Sequence, residues 1–379
     1  MCSRLGVAPL QGVGALGYLA ASRRAGARLA SSWVASTLAR RTRLVVELEE
    51  FLGASRAVTG GRNLHNCAPQ DILAFLEMWS GRHAGSRVAD GRLMASPGGV
   101  QGALSHLSTY FEGAGRGGPY DSVSGRGNPC KAFALPHFVR AYAREAHHAG
   151  YASASAVPMS ADKVARLLRH LDLASAAETQ LDRLWLILRD SALVCYLWVS
   201  GQRAGDAGRL RVGDVRAGPS SIQHLPLPFS PFPAIGSRFC VVPFQTKTSQ
   251  DRRAMPITFA VAGATSLFCL ATRLERYARV CVALGRPLQD PRGFLFPSSR
   301  DPNRPVTSSL LNTRLRQHLE AMGAWEGETS HSFRCGSLQS VAAGGVPLSH
   351  VAAHGQIRSE ATLARYLHPA RHAKRVRRA

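Results

Sequence analysis

The chain has 379 residues, 45% of them hydrophobic, which supplies enough apolar side chain to fill two or three domain cores and excludes a wholly disordered protein. Lysine and arginine outnumber aspartate and glutamate by 47 to 24, giving a formal charge of +23 that favours a polyanionic partner, nucleic acid first and an anionic membrane surface second. The eight cysteines form no CxxC pair and no regular spacing, which argues against a zinc site and a secreted disulfide framework.

Residues 1–46 carry seven arginines and no acid, the composition of a basic DNA-contacting arm and equally of an organellar transit peptide, so 1–35 is assigned to an arm or targeting segment. The block 36–150 reads as a helical domain: LARRTRLVVELEEFL, PQDILAFLEMWSG, GGVQGALSHLSTYFE and CKAFALPHFVRAYAREAHH all show helical apolar spacing, with Gly/Pro-rich joints between them. In the last of these, Phe138, Tyr142 and Ala146 fall on one face and Arg140 and Arg144 on another. YASASAVP, at 151–158, marks a domain boundary.

A second domain, 158–370, opens with a helix for which Ser160 is the expected cap. The apolar stretch LWLILRDSALVCYLWVS follows, interrupted by Arg189 and Asp190. It falls short of the ~18 uncharged apolar residues of a membrane span, and a buried core helix is expected. RFCVVPF and AMPITF then read as two strands joined by the polar turn TKTSQDRR. Helices return at 264–284 and 308–322, around HSFR, around VPLSHVAAH and around SEATLARYL; the tail 371–379 is basic. The fold class is therefore mainly α with a small antiparallel sheet.

Candidate chemistry lies in the second domain. Arg203 stands where the apolar helix should break at Gly201, followed by Asp206, Leu210 and Asp214. Lys247 falls in the turn between the two strands, and only four of the 47 basic residues are lysines, the type that can give up a proton. His331 and Arg334, three apart on a helix, share a face and can grip one object. Tyr366 lies near the C-terminus.

G-x-R-x-x-D-x-x-x-L-x-x-x-D at 201–214, a strand-turn-strand lysine, H-x-x-R at 331–334 and a late tyrosine, in that order, resemble the ordered signature of the tyrosine recombinases, the phage-integrase family. The motifs span about 158–370, and 36–150 is similar to the helical core-binding domain that precedes the catalytic domain there. The resemblance implies that Arg203 and Arg334 hold the non-bridging oxygens of a phosphodiester and that Tyr366 attacks phosphorus. It implies that Lys247 protonates the departing 5′ oxygen and that His331 assists phosphate binding and proton movement. It further implies double-stranded DNA as partner, a tetramer on paired sites, and no metal or ATP. The basic tail AKRVRRA suits nuclear import, and the arm suits an organelle instead; no membrane partner is expected.

One position departs from the family pattern. The His or Trp about nine residues before the nucleophile is replaced by Ile357, with His354 three residues earlier as the candidate substitute. Cys335 reads as a small buried residue and not a nucleophile, and Arg252 and Arg253 as either phosphate contacts or a solvated turn. Three other functions stay open on these residues: a catalytically weakened or inactive DNA-binding protein derived from a transposon recombinase, a type IB topoisomerase-like enzyme, and a basic organellar RNA-binding protein.

Overall fold

Five helices and a two-strand hairpin build the first half of the described structure. The computed structural model describes residues 35–87, 93–151, 156–221, 223–243, 255–263 and 265–367. The chain divides into two compact units, Met1–Ala154 and Ser155–Ala379. The basic arm before residue 35, Lys247 with Arg252 and Arg253, and the tail 371–379 lie outside the described residues.

In the first unit the helices are α1 (Ala35–Ala54), α2 (Arg56–Thr59), α3 (Pro69–Arg82), α4 (Pro97–Gly113) and α5 (Ala134–His148). Leu44, Leu48 and Leu52 of α1 recur every fourth residue and are all buried, each contributing about 1.5–3 kcal/mol of apolar transfer. Local chemistry sets the helix starts. Proline opens α3 and α4 where a missing N–H costs nothing. Asp71 Oδ2 accepts from Ala68 N (2.7 Å) and Ser96 Oγ from Gly99 N (3.0 Å), satisfying orphan donors. Tyr142 of α5 donates its hydroxyl to Ala95 O at 3.0 Å, so this aromatic is buried without an unpaired oxygen. Two-residue strands β1 (Ser86–Arg87) and β2 (Leu93–Met94) pair antiparallel in this unit.

The second unit is organised around α7 (Leu181–Ser200), which packs against α6 (Ala161–Ala177), α9 (Leu270–Ala283) and α11 (Ser330–Ala343). Ser160 caps α6 as expected, accepting from Lys163 N at 3.2 Å. Strands β3 (Val215–Arg216), β4 (Arg238–Val241) and β5 (Ile257–Ala260) form one antiparallel sheet in that order. Phe239 lies opposite Phe259, their ring centroids 5.5 Å apart, and Phe259 reaches Tyr196 of α7 at 5.8 Å. The remaining elements are α8 (Ala204–Ala207), α10 (Ser308–Ala321), α12 (Leu348–His354) and α13 (Glu360–Leu367). No helix among the described residues is long and apolar enough to cross a membrane.

The charges that interrupt the apolar helix are buried and paired. Arg189 Nη2 donates to Asp190 Oδ1 (2.8 Å) and its Nη1 to Pro297 O (3.0 Å). Asp190 Oδ2 accepts from Arg314 Nε (2.7 Å) on α10 and faces His318 Nε2 at 3.3 Å. Burial alone would raise the Asp190 pKa; the His318 contact and the two guanidinium charges outweigh it and hold the carboxyl at about 2. Arg273 on α9 is likewise tied to both oxygens of Asp172, at 3.1 Å each.

Candidate active site

The apolar run of α7 ends at Gly201, whose φ of 60° makes it a left-handed cap donating to Leu197 O at 3.1 Å. The chain then turns, and Arg203 becomes the N-cap residue of the short α8. Its side chain is 25% exposed, with Nη1 3.8 Å from Asp206 Oδ2. Asp206 is buried and also accepts from Arg209 Nη2 at 2.7 Å. Asp214 accepts from Arg211 N (2.8 Å), closing the loop that follows.

Helix α11 carries the second half of the site. Thr329 caps it, and Ser330 N donates to Asn312 Oδ1 of α10 at 2.7 Å. Gly336 sits against the segment leading into α6: a Cβ there would fall 1.7 Å from Met159 O. Met159 N in turn donates to Ser332 O at 3.0 Å. Only glycine permits this approach, which fixes the seat of α11.

His331 and Arg334 leave α11 toward Tyr366 of α13. The His331 and Tyr366 rings are 5.5 Å apart, and Arg334 Cζ lies 5.1 Å from the Tyr366 ring centroid. His331 is exposed and Tyr366 half-buried, whereas Arg334 is fully buried at 0%. Arg334 Nη1 donates to Gly201 O (2.7 Å) and Nη2 to Gly355 O (2.6 Å), while its Nε has no partner. Its contacts are carbonyls and an aromatic ring in place of a bound carboxylate. Burial lowers its pKa, the neighbouring Tyr366 hydroxyl opposes that, and the like charge of Arg203 adds to it. Of the five residues singled out in the sequence, Arg203, His331, Arg334 and Tyr366 thus come together. Lys247 lies outside the described residues.

The departure from the family pattern resolves differently from the spacing count. Ile357 is 9% exposed and packs with Leu338, Val351 and Leu363 in a small satellite core. His354, at the end of α12, is the side chain placed beside the arginine: its Nε2 is 3.3 Å from Ser337 Oγ and would be 3.1 Å from a Cβ on Gly201. Burial and the Arg334 charge both lower its pKa, which favours the neutral imidazole. Counting nine residues back from Tyr366 misleads because Gln356 adopts φ 50°, a left-handed turn that ends α12 and sets Ile357 into the apolar side. Ser337, one turn after Arg334, and the carbonyls of Gly201 and Gly355 were not anticipated; the i,i+3 spacing to Arg334 was the signal available for Ser337.

Cys335 is buried with its thiol pushed up to about 11 by burial, so it is no nucleophile at neutral pH. Among the described residues no group of three or more His, Cys, Asp or Glu side chains is suited to a metal ion.

The mainly helical chain with its small antiparallel sheet has the fold of the tyrosine recombinases. Among solved structures, the XerH site-specific recombinase bound to difH substrate in a pre-cleavage complex is similar at a TM-score of 0.53 and 13% identity, over 86% of this chain and 76% of that one. Its post-cleavage complex with palindromic difH is similar at 0.51 and 12%, over 83% and 73%. No family model and no curated protein matches the sequence.

Proposed function

We propose that the protein is a site-specific DNA recombinase or integrase that cuts and rejoins strands through Tyr366. In this reading Arg203 and Arg334 hold a backbone phosphate and steady the charge that grows on its oxygens in the transition state. Tyr366 Oη attacks phosphorus, the bond to the 5′ oxygen breaks, and the phenolic proton passes to the adjacent His331 imidazole. Lys247 gives its proton to the leaving 5′ oxygen. The product is a 3′-phosphotyrosine that keeps the bond energy, so a 5′ hydroxyl can reverse the step without ATP. Double-stranded DNA is the partner, gripped through the +23 charge with strong salt dependence, and self-association on paired sites and nuclear residence go with this reading.

What carries it is the fully buried Arg334, with an unpartnered Nε, next to a second guanidinium and a tyrosine ring. A buried guanidinium bonded to carbonyls and not to a carboxylate is incompletely compensated, and an anionic ligand would supply the rest. The test is a nicked suicide duplex that traps the covalent complex. Wild type should form a denaturant-resistant adduct, and Tyr366→Phe should form none while still shifting the duplex on a native gel. An adduct that survives Tyr366→Phe refutes the assignment. Persistent gel shifts with no wild-type adduct would favour the non-catalytic DNA-binding reading. Relaxation of supercoils without site preference would favour the topoisomerase-like one.

A further inference from the structure

Helix α13, described over Glu360–Leu367, carries Tyr366 near the limit of the described residues. Gln339 of α11 donates its Nε2–H to Tyr366 O at 2.7 Å. Gln339 lies on the helix that also bears His331 and Arg334, so one rigid element touches the nucleophile at its ring and at its backbone. Leu363 adds apolar, non-directional contact with Leu338, Val351 and Ile357.

We infer that Gln339 is a positioning residue, which holds the Tyr366 main chain so that the phenol stays beside Arg334 and His331; this rests on the strand-transfer reading above. Its chemistry suits the place. A neutral amide donates a directed bond to the Tyr366 carbonyl without setting another cation close to Arg334. Without that bond the Tyr366 main chain is held less firmly against α11, and the phenol spends less time in line with phosphorus. The expected loss is therefore in the rate of cleavage and not in DNA affinity.

Two variants test it. Gln339→Met keeps the length and removes the donor, and Gln339→Lys keeps a donor. Three quantities are read: the single-turnover rate of adduct formation on the nicked duplex, gel-shift affinity for intact duplex, and amide hydrogen exchange over residues 360–367. Gln339→Met should slow adduct formation about tenfold, the equivalent of one neutral hydrogen bond. It should leave affinity within about twofold and speed exchange over 360–367, while Gln339→Lys recovers part of the rate. An unchanged rate, unchanged exchange, or parallel loss of affinity and rate would each overturn the inference. If wild type forms no adduct, the strand-transfer reading falls. Exchange then decides alone whether Gln339 pins α13: faster exchange supports it and unchanged exchange removes it.

Discussion

Two buried clusters of charge in the second unit differ in what surrounds their arginines. At the centre of α7, Arg189, Arg314 and His318 close on the carboxylate of Asp190, and Arg273 on that of Asp172. At the candidate site, Arg334 is as deeply buried yet rests on two main-chain carbonyls, with Nε orphaned and the Arg203 charge nearby. Removing one partner from a buried pair is costly, and a buried guanidinium without a hydrogen-bonded carboxylate is incompletely compensated. The first cluster is therefore complete as a structural device, and in the proposed function a backbone phosphate completes the second.

The sharpest way to break that comparison is to remove the carboxylate. Asp190→Asn strands Arg189 and Arg314 and should destabilise the second unit by about 3–5 kcal/mol in a denaturant melt. A loss under about 1 kcal/mol would mean that the pairing is solvent-compensated.

Arg334→Met should do the reverse, lowering adduct formation by about 10²–10³-fold, the effect of losing one transition-state donor group, with a smaller stability change than Asp190→Asn. Inorganic sulfate should raise the melting temperature of wild type more than that of Arg334→Met. Equal shifts would show that no anion is held there.

Acid provides a third probe. The Asp190 carboxyl titrates near 2 when folded and near 3.8 in its ordinary state, so the unfolded chain binds the extra proton first. Its stabilisation is present above about pH 4 and is lost as pH falls toward 2, worth about 2 kcal/mol in all. Asp190→Asn should lack that part of the acid slope.

The smallest effect concerns the slot before the nucleophile. Ile357→His should gain no cleavage and cost about 1–3 kcal/mol of stability, because the position belongs to the satellite core. A rate gain in that variant would place residue 357 at the phosphate after all.

The helices of both units were legible because their apolar spacing and caps agree, as for Ser160 in α6 and Gly201 after α7. Arg203, His331, Arg334 and Tyr366 were named as an ordered set through the resemblance to the tyrosine recombinases, and the structure brings them near one another. The strands β1, β2 and β3, two residues each, carry no periodicity to read. His354 was named from the sequence as the candidate substitute for Ile357, but its place beside Arg334 was not legible, because it goes with a left-handed residue, Gln356, that is not glycine. The Gln339 bond was hidden because it joins residues 27 apart in sequence through a backbone carbonyl, which no residue type announces.

The most direct measurement is the structure of Tyr366→Phe bound to a duplex carrying its cleavage site. A backbone phosphate within about 3 Å of both the Arg203 and Arg334 guanidinium groups is the predicted result. A duplex seated elsewhere on the protein, with Arg334 still bonded only to the Gly201 and Gly355 carbonyls, would contradict it.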